Sequence, residues 1–246
     1  MEPITAMRRV QRVRHEIRRR DVAVVRVDRL GPGFVEVTFA DPSLADFVSL
    51  SFDDHVKFML PGPNGEPVRR DYTPRRFNAA RRELTIEFAL HGHGPASEWA
   101  RQVQPGQRAV IAGPRGSMII PLDYEWHLLA GDATALPAIS RRLEELPAGA
   151  RAFVLASVHD KADQREFHCA ARVEIRWVDS DDELLSALRA LPWPAGEGFA
   201  WCAGESSTMA RARELLLQDK AHPKEAMRVA AYWKRGAADF HETLES

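Results

Sequence analysis

Arg70, Tyr72 and Thr73 fall within four positions and offer a cation, a flat ring and a small hydroxyl. That set suits a planar ligand with an anionic tail. On an extended segment, residues two apart share a face, so Arg70 and Tyr72 can address one molecule. The string runs on as Pro74-Arg75-Arg76, and by itself it fits equally a surface strand whose arginines keep it soluble.

A second string, His91-Gly92-His93-Gly94-Pro95-Ala96-Ser97-Glu98-Trp99-Ala100, joins glycines to a helix start. Glycine lets the backbone come close to a phosphate, and Pro95 with Ala96 and Ser97 opens a helix whose leading N–H groups face an anion. A plain Gly-rich helix cap is the competing reading. No carboxylate or cysteine stands beside His91 and His93 to complete a ligand set, so a metal is not expected.

The third string is Gly131-Asp132-Ala133-Thr134-Ala135, after an apolar run and at the start of a helical pattern. The first strand–helix turn of an α/β unit is the usual place for a nucleotide phosphate. It is not G-x-G-x-x-G, and Asp132 would repel a pyrophosphate at close range. Gly204-Glu205 ends another strand at the same carboxyl edge, so the two turns should border one crevice.

The elements that must position these groups change character along the chain. Residues 22–27, 34–39, 56–60, 84–90 and 108–112 read as short strands punctuated by Gly and Pro, the rhythm of a closed or partly closed barrel. One helix interrupts them near Pro95. Beyond Tyr124 strands alternate with helices: strands at 126–131, 151–158, 173–178, 198–203 and 227–233, helices at 134–146, 181–191, 205–218 and 237–244. That alternation implies a parallel sheet covered on both faces. The expected division is a basic N-terminal arm or helix over 1–20, a β-barrel domain over 21–122, and an α/β domain over 123–246 with a closing helix.

Composition narrows the function. A chain of 246 residues with 28% charged residues and a net charge of −1 is an ordinary globular protein, and no nucleic-acid partner is expected. Seven arginines between Arg8 and Arg20 face only Glu16. They read as a solvated helix docked by Met7, Val10, Val13 and Ile17, with an anionic or membrane-surface contact as the alternative. No secretory signal or membrane span is expected. Two cysteines without metal-ligand spacing fit a reducing cytoplasm and leave the chemistry to a bound cofactor or other side chains.

Six strings in register, RDYTPRRF from Arg70, HGHGPASEWA from His91, AGPRGS from Ala112, GDATALPAI from Gly131, AGE from Ala203 and YWKRG from Tyr232, resemble the siderophore-interacting protein family, a branch of the ferredoxin–NADP reductase superfamily. The resemblance implies an N-terminal six-stranded antiparallel flavin-binding β-barrel followed by a parallel-sheet, NAD(P)-binding-like α/β domain. It implies FAD, with Arg70 on the pyrophosphate, Tyr72 flanking the isoalloxazine, Thr73 near N5, and the segment holding Asp71, His91, Gly92, Gly94, Pro95, Ala96 and Ser97 around the cofactor. Electrons would come from NADPH, NADH or reduced ferredoxin, with Gly131, Asp132, Thr134, Ala135, Gly204 and Glu205 toward the donor. No 2′-phosphate site is readable, Arg141 and Arg142 being the available basic pair. The acceptor would be a ferric siderophore drawn in by Lys57, Arg115, Lys234 and Arg235. The family turn usually reads GDET, and Ala133 stands here in place of the acid. The implied protein is a cytoplasmic monomer that reduces ferric siderophore. A flavoenzyme serving another acceptor and a non-enzymatic siderophore carrier are the alternatives.

Overall fold

The computed structural model describes residues 9–62, 66–90, 94–237 and 242–243. Its first half contains β1 (Gln11–Arg14), β2 (Arg19–Arg29), β3 (Phe34–Ala40), β4 (Val56–Leu60), β5 (Val68–Tyr72), β6 (Arg76–Asn78), β7 (Glu83–Ala89), α1 (Pro95–Gln102), β8 (Arg108–Ala112) and β9 (Gly116–Ile119). Seven of these strands make one antiparallel sheet in the order β5-β4-β8-β2-β3-β7-β6. Its two edge strands are consecutive in the chain, so the sheet curls into a half-barrel that nearly meets at Thr73-Pro74-Arg75. Six strands are implied by the resemblance; seven are seen because Pro74, which has no N–H, separates β5 from β6. Trp99 of α1 plugs the interior against Phe58, Phe88 and Phe39, at ring-centroid distances of 4.7, 5.4 and 6.2 Å.

The second half contains β10 (Trp126–Gly131), α2 (Leu136–Glu145), β11 (Arg151–Ser157), β12 (Arg172–Val178), α3 (Asp181–Ala190), β13 (Gly198–Glu205), α4 (Ser206–Gln218), β14 (Met227–Trp233) and β15 (Glu242–Thr243). The sheet order is β12-β11-β10-β13-β14-β15, and the first five strands run parallel. Chain order reverses between β10 and β13, so the switch point, where open α/β sheets place their ligands, lies between those two strands.

Two expectations are corrected. The basic arm is not a helix: Gln11–Arg14 is a strand paired antiparallel with β9, Arg12 opposite Met118 and Arg14 opposite Gly116. A short isolated helix gains little in water, whereas β9 offers an open edge whose backbone groups β1 satisfies. Ile17 does not dock and is 59% exposed, while Met7 lies outside the described residues. At the other end, Glu242–Thr243 is not helical but pairs antiparallel with Ala231 and Ala230 at the exposed edge of β14.

The two halves share a core. Phe34, Phe52 and Ile120 of the barrel half pack with Leu129, Val154, Phe199 and Trp201 of the α/β half. Polar ties fix the contact. Arg141 donates to Ser49 Oγ at 2.8 Å and to the Pro74 carbonyl at 2.9 Å, and Arg142 donates to the carbonyls of Ile120 and Pro121. Glu36 and Glu87 stand directly opposite one another on β3 and β7, a repulsive pairing. Arg76 pairs with Glu36, while Arg75 and Arg165 pair with Glu87 at 2.8 and 2.6 Å. Arg75 also reaches Glu144 on α2 at 2.5 Å. Among the described residues no helix is long and apolar enough to cross a membrane.

Candidate functional site

A cleft of ≈ 790 Å³ runs between the halves, at the carboxyl edge of the parallel sheet. β4 and β5 supply Lys57, Arg69, Arg70, Asp71 and Tyr72, followed by Thr73; the start of α1 supplies Gly94 to Ser97. From the other side come Thr134, Pro137 and the segment from Tyr232 to Ala237. His91 and Gly92 lie outside the described residues.

β5 carries the key side chains because it pairs with β4 in a register that sets Lys57 opposite Asp71 and Phe58 opposite Arg70. Lys57 Nζ meets Asp71 Oδ2 at 2.8 Å at the mouth. The ring of Tyr72 is backed by Phe88 at 4.4 Å and Phe58 at 6.0 Å, so it is a firm wall. Burial pushes its phenol well above the ordinary value, and it stays neutral. Thr73 is buried beside it.

The start of α1 is open to an anion. Gly94 is the N-cap, Pro95 occupies the first turn, and among the described residues no side chain caps the helix. A Cβ at Gly94 would meet no protein atom within 4 Å, so the backbone here borders free space. Leading N–H groups of an uncapped helix favour a phosphate.

The switch-point turns are built differently. Asp132 accepts from Thr134 N–H at 2.8 Å, from Glu205 N–H at 2.9 Å and from Trp233 Nε1 at 2.8 Å. Burial raises its carboxyl above the ordinary range, against the pull of the Thr134 and Trp233 hydrogen bonds. Glu205 caps α4 by accepting from Ser207 N–H at 2.8 Å and Thr208 N–H at 3.1 Å. Burial would raise its carboxyl, but hydrogen bonds from Ser207, Thr208 and Arg235 outweigh it and hold it below the usual range. Gly204, at φ +155°, leaves room for Asp132, whose Oδ2 a Cβ would approach to 2.6 Å. At Gly131 a Cβ would run into the Ala203 carbonyl and Ala135, so that glycine serves close strand–turn packing.

Of the residues expected to face an electron donor, only Thr134 lines the cleft; Gly131, Asp132, Ala135, Gly204 and Glu205 join the turns behind it. Arg141 and Arg142 are buried between the halves and bonded to barrel atoms. Of the four basic residues expected to draw in an anion, Lys57, Lys234 and Arg235 line the cleft and Arg115 does not. Its charged lining among the described residues comprises Lys57, Arg69, Arg70, Lys234 and Arg235 against Asp71 and Glu87, which favours anionic ligands. Sequence reasoning gave no role to His55, Glu87 or Tyr232, all in the lining. Glu87 had a signal, a lone acid on the alternating strand 84–90, and Tyr232 opens the YWKRG string; His55 had none.

The lining fits a flavin dinucleotide: a firm aromatic wall, an adjacent hydroxyl, a cation, an uncapped helix start, and a volume within the common range of ligand sites.

Comparison with known proteins agrees. Residues 124–236 match the family described as siderophore-interacting protein, and residues 23–68 and 62–118 match the siderophore-interacting FAD-binding domain. The chain is 35% identical to the NADPH-dependent ferric-chelate reductase of Escherichia coli K12, covering 91% of this chain and 96% of that one. It is 30% identical to the ferric vibriobactin reductase ViuB of Vibrio cholerae, covering 89% of this chain and 91% of the relative. A siderophore utilization protein from T. fusca superposes with a TM-score of 0.88 at 34% identity, covering 94% of this chain and 98% of that one.

Proposed function

The chain belongs to the siderophore-interacting protein family, and from that premise we propose that it is an FAD-dependent oxidoreductase that reduces ferric siderophores with electrons from NAD(P)H. The observation that carries the reading is the convergence of Arg70, Tyr72, Thr73 and the uncapped start of α1 on one cleft with a basic rim.

In this reading residues 21–122 hold the flavin and 123–246 face the donor. Arg70 and the leading N–H groups of α1 bind the pyrophosphate, Tyr72 lies along the isoalloxazine, and Thr73 sits beside N5. Bound FAD supplies a two-electron store that can be drawn on one electron at a time. Lys57, Lys234 and Arg235 raise the local concentration of an anionic chelate and hold it near the flavin. Ferric iron is a hard cation matched to the oxygen ligands of a siderophore, and ferrous iron suits them less well, so one electron makes the metal releasable. No side chain need act as nucleophile or acid. The protein works as a cytoplasmic monomer, with reduced nicotinamide nucleotide as donor and reduced ferredoxin as the competing donor.

The test is an anaerobic absorbance spectrum of the purified protein, taken before and after NADPH, NADH or reduced ferredoxin and again after a ferric siderophore. Flavin bands should bleach with the true donor and return on addition of chelate. A protein that shows no flavin bands after incubation with FAD would refute the proposal.

A further inference from the structure

Bulky apolar side chains that reach solvent are scattered singly on most proteins. Of the eight exposed among the described residues, four gather on one face of the barrel half: Ile17, Val48, Leu50 and Phe77. Hydrogen bonds bring them together. His15 Nε2 lies 2.8 Å from Ser117 Oγ, and Leu50 N–H donates to the same oxygen at 3.2 Å. A few residues further on, Arg20 donates to Asp46 Oδ1 at 2.8 Å and to the Ser43 carbonyl at 3.0 Å. Residues 15–20 therefore run beside residues 50–43 in the opposite direction, which sets Ile17 alongside Val48. Val48 and Leu50 face outward because Phe47, Ser49 and Ser51, which alternate with them, are buried. Phe77 flanks the group, its ring edge-on to Phe47 at 5.4 Å.

The charge around this cluster is one-sided. Arg12, Arg14, Arg18, Arg19 and Arg115 are exposed, and the Arg115 carbonyl accepts from His15 N–H at 2.9 Å. The acids of the same stretch are Glu16, Asp21 and Asp46, and Arg18 bonds both Glu16 and Asp46. Among the described residues no carboxylate pairs with Arg14, Arg19 or Arg115. The whole chain carries a net charge of −1, so this basic excess is local.

We propose that this face docks the protein on an anionic lipid bilayer, with Ile17, Val48, Leu50 and Phe77 entering the interface and the arginines on lipid phosphates. An apolar centre with a basic rim suits such a surface. The aliphatic groups leave water at the head-group boundary, and the arginine stems lie along them while their charged ends reach phosphate. Two other occupants fit less well. A second copy related by a two-fold axis would set these arginines against one another. A nucleic acid would use the arginines but gain nothing from Ile17, Val48 and Leu50, since it is bound through phosphate, base-edge and stacking contacts. None of the residues named lines the cleft, so the proposal stands or falls apart from the flavin reading.

The test is co-sedimentation of the purified protein with vesicles at physiological ionic strength. Vesicles of equal parts phosphatidylcholine and phosphatidylglycerol should carry it into the pellet, and vesicles of phosphatidylcholine alone should not. Val48→Ser with Leu50→Ser, and separately Arg14→Glu with Arg19→Glu, should each weaken partitioning roughly tenfold or more, with the urea-unfolding midpoint and flavin content unchanged. Where a pair lowers that midpoint, Ile17→Ser takes its place, since Ile17 is 59% exposed and outside any strand. A few-fold loss is expected from it. Protein that stays in solution with the anionic vesicles, or binds both kinds equally, overturns the proposal. Binding that survives the serine variants would be plain charge adsorption, and binding that survives the arginine reversals would lie on another face; either overturns it. A wild-type dimer that Val48→Ser with Leu50→Ser converts to monomer would give the face to a second copy and overturn it as well.

Discussion

Three helix beginnings lie at this cleft or just behind it, and they are finished in opposite ways. α1 starts at Gly94-Pro95 with, among the described residues, no side-chain cap and with free space beside Gly94. At the switch point, Asp132 accepts the Thr134 N–H of the short 3-10 turn that leads into α2, and Glu205 accepts the first N–H groups of α4. An anion is favoured at the first and opposed at the other two. Both halves bring helix starts to the cleft region, and the proposed phosphate site is the one in the barrel half, where among the described residues no carboxylate caps the helix. The contrast teaches that topology nominates a site and capping decides whether an anion can use it.

The hardest way to break this contrast is to open the closed end. Asp132→Ala strips an acceptor from the Thr134 and Glu205 N–H groups and from Trp233 Nε1. The expected loss is at least ~3 kcal/mol of stability, read as a lower midpoint in urea unfolding. Full stability in that variant would mean the switch-point turn is not held by its carboxylate.

Acid should strain the same strand from its other end. His127 on β10 is buried, and burial, aided by nearby Arg142, pushes its imidazole down to about 4. The folded value lies below the unfolded one, so the unfolded chain takes up the proton first as pH falls. Stability should therefore be unaffected above the ordinary histidine range and decline between pH ~6.5 and ~4, by up to ~3 kcal/mol. His127→Gln should flatten that part of the pH–stability curve. An identical slope in the variant would assign the acid sensitivity elsewhere.

The open end is tested by affinity. Arg70→Ala should weaken FAD binding about 10- to 100-fold in a titration, the worth of one charge-assisted contact, with little change in the stability of the FAD-free protein. The smallest effect is expected at the rim. Lys57→Ala and Lys234→Ala should each raise KM for ferric chelates a few-fold, more at low ionic strength, with flavin content unchanged. Unaltered kinetics in both would remove them from the acceptor site.

Much of the barrel-side site was legible because its signals are local. Arg70 and Tyr72 share a face by strand periodicity, and Gly94-Pro95 announces a helix start by backbone chemistry. The strand–helix alternation beyond Tyr124 was legible for the same reason. What escaped depends on neighbours far along the chain. The arginines of the N-terminal arm have the pattern of a helix with an apolar stripe, but β1 exists because β9 has an open edge, which no local pattern reveals. In the sequence Asp132 is a misplaced charge in a phosphate turn; its donors, the Glu205 N–H and Trp233 Nε1, come from 73 and 101 residues further along the chain. Tyr232 has a local string but its partner does not show there: β14 brings its hydroxyl to Asp53, 179 residues earlier in the chain.

The most direct test is a crystal structure of the protein with FAD bound, at a resolution that places the pyrophosphate. The account predicts phosphate oxygens within hydrogen-bond distance of Arg70 and the Ala96 and Ser97 N–H groups, with the isoalloxazine along Tyr72 and N5 beside Thr73. Phosphates lodged at Asp132 and Glu205, or a flavin ring away from Tyr72, would contradict it.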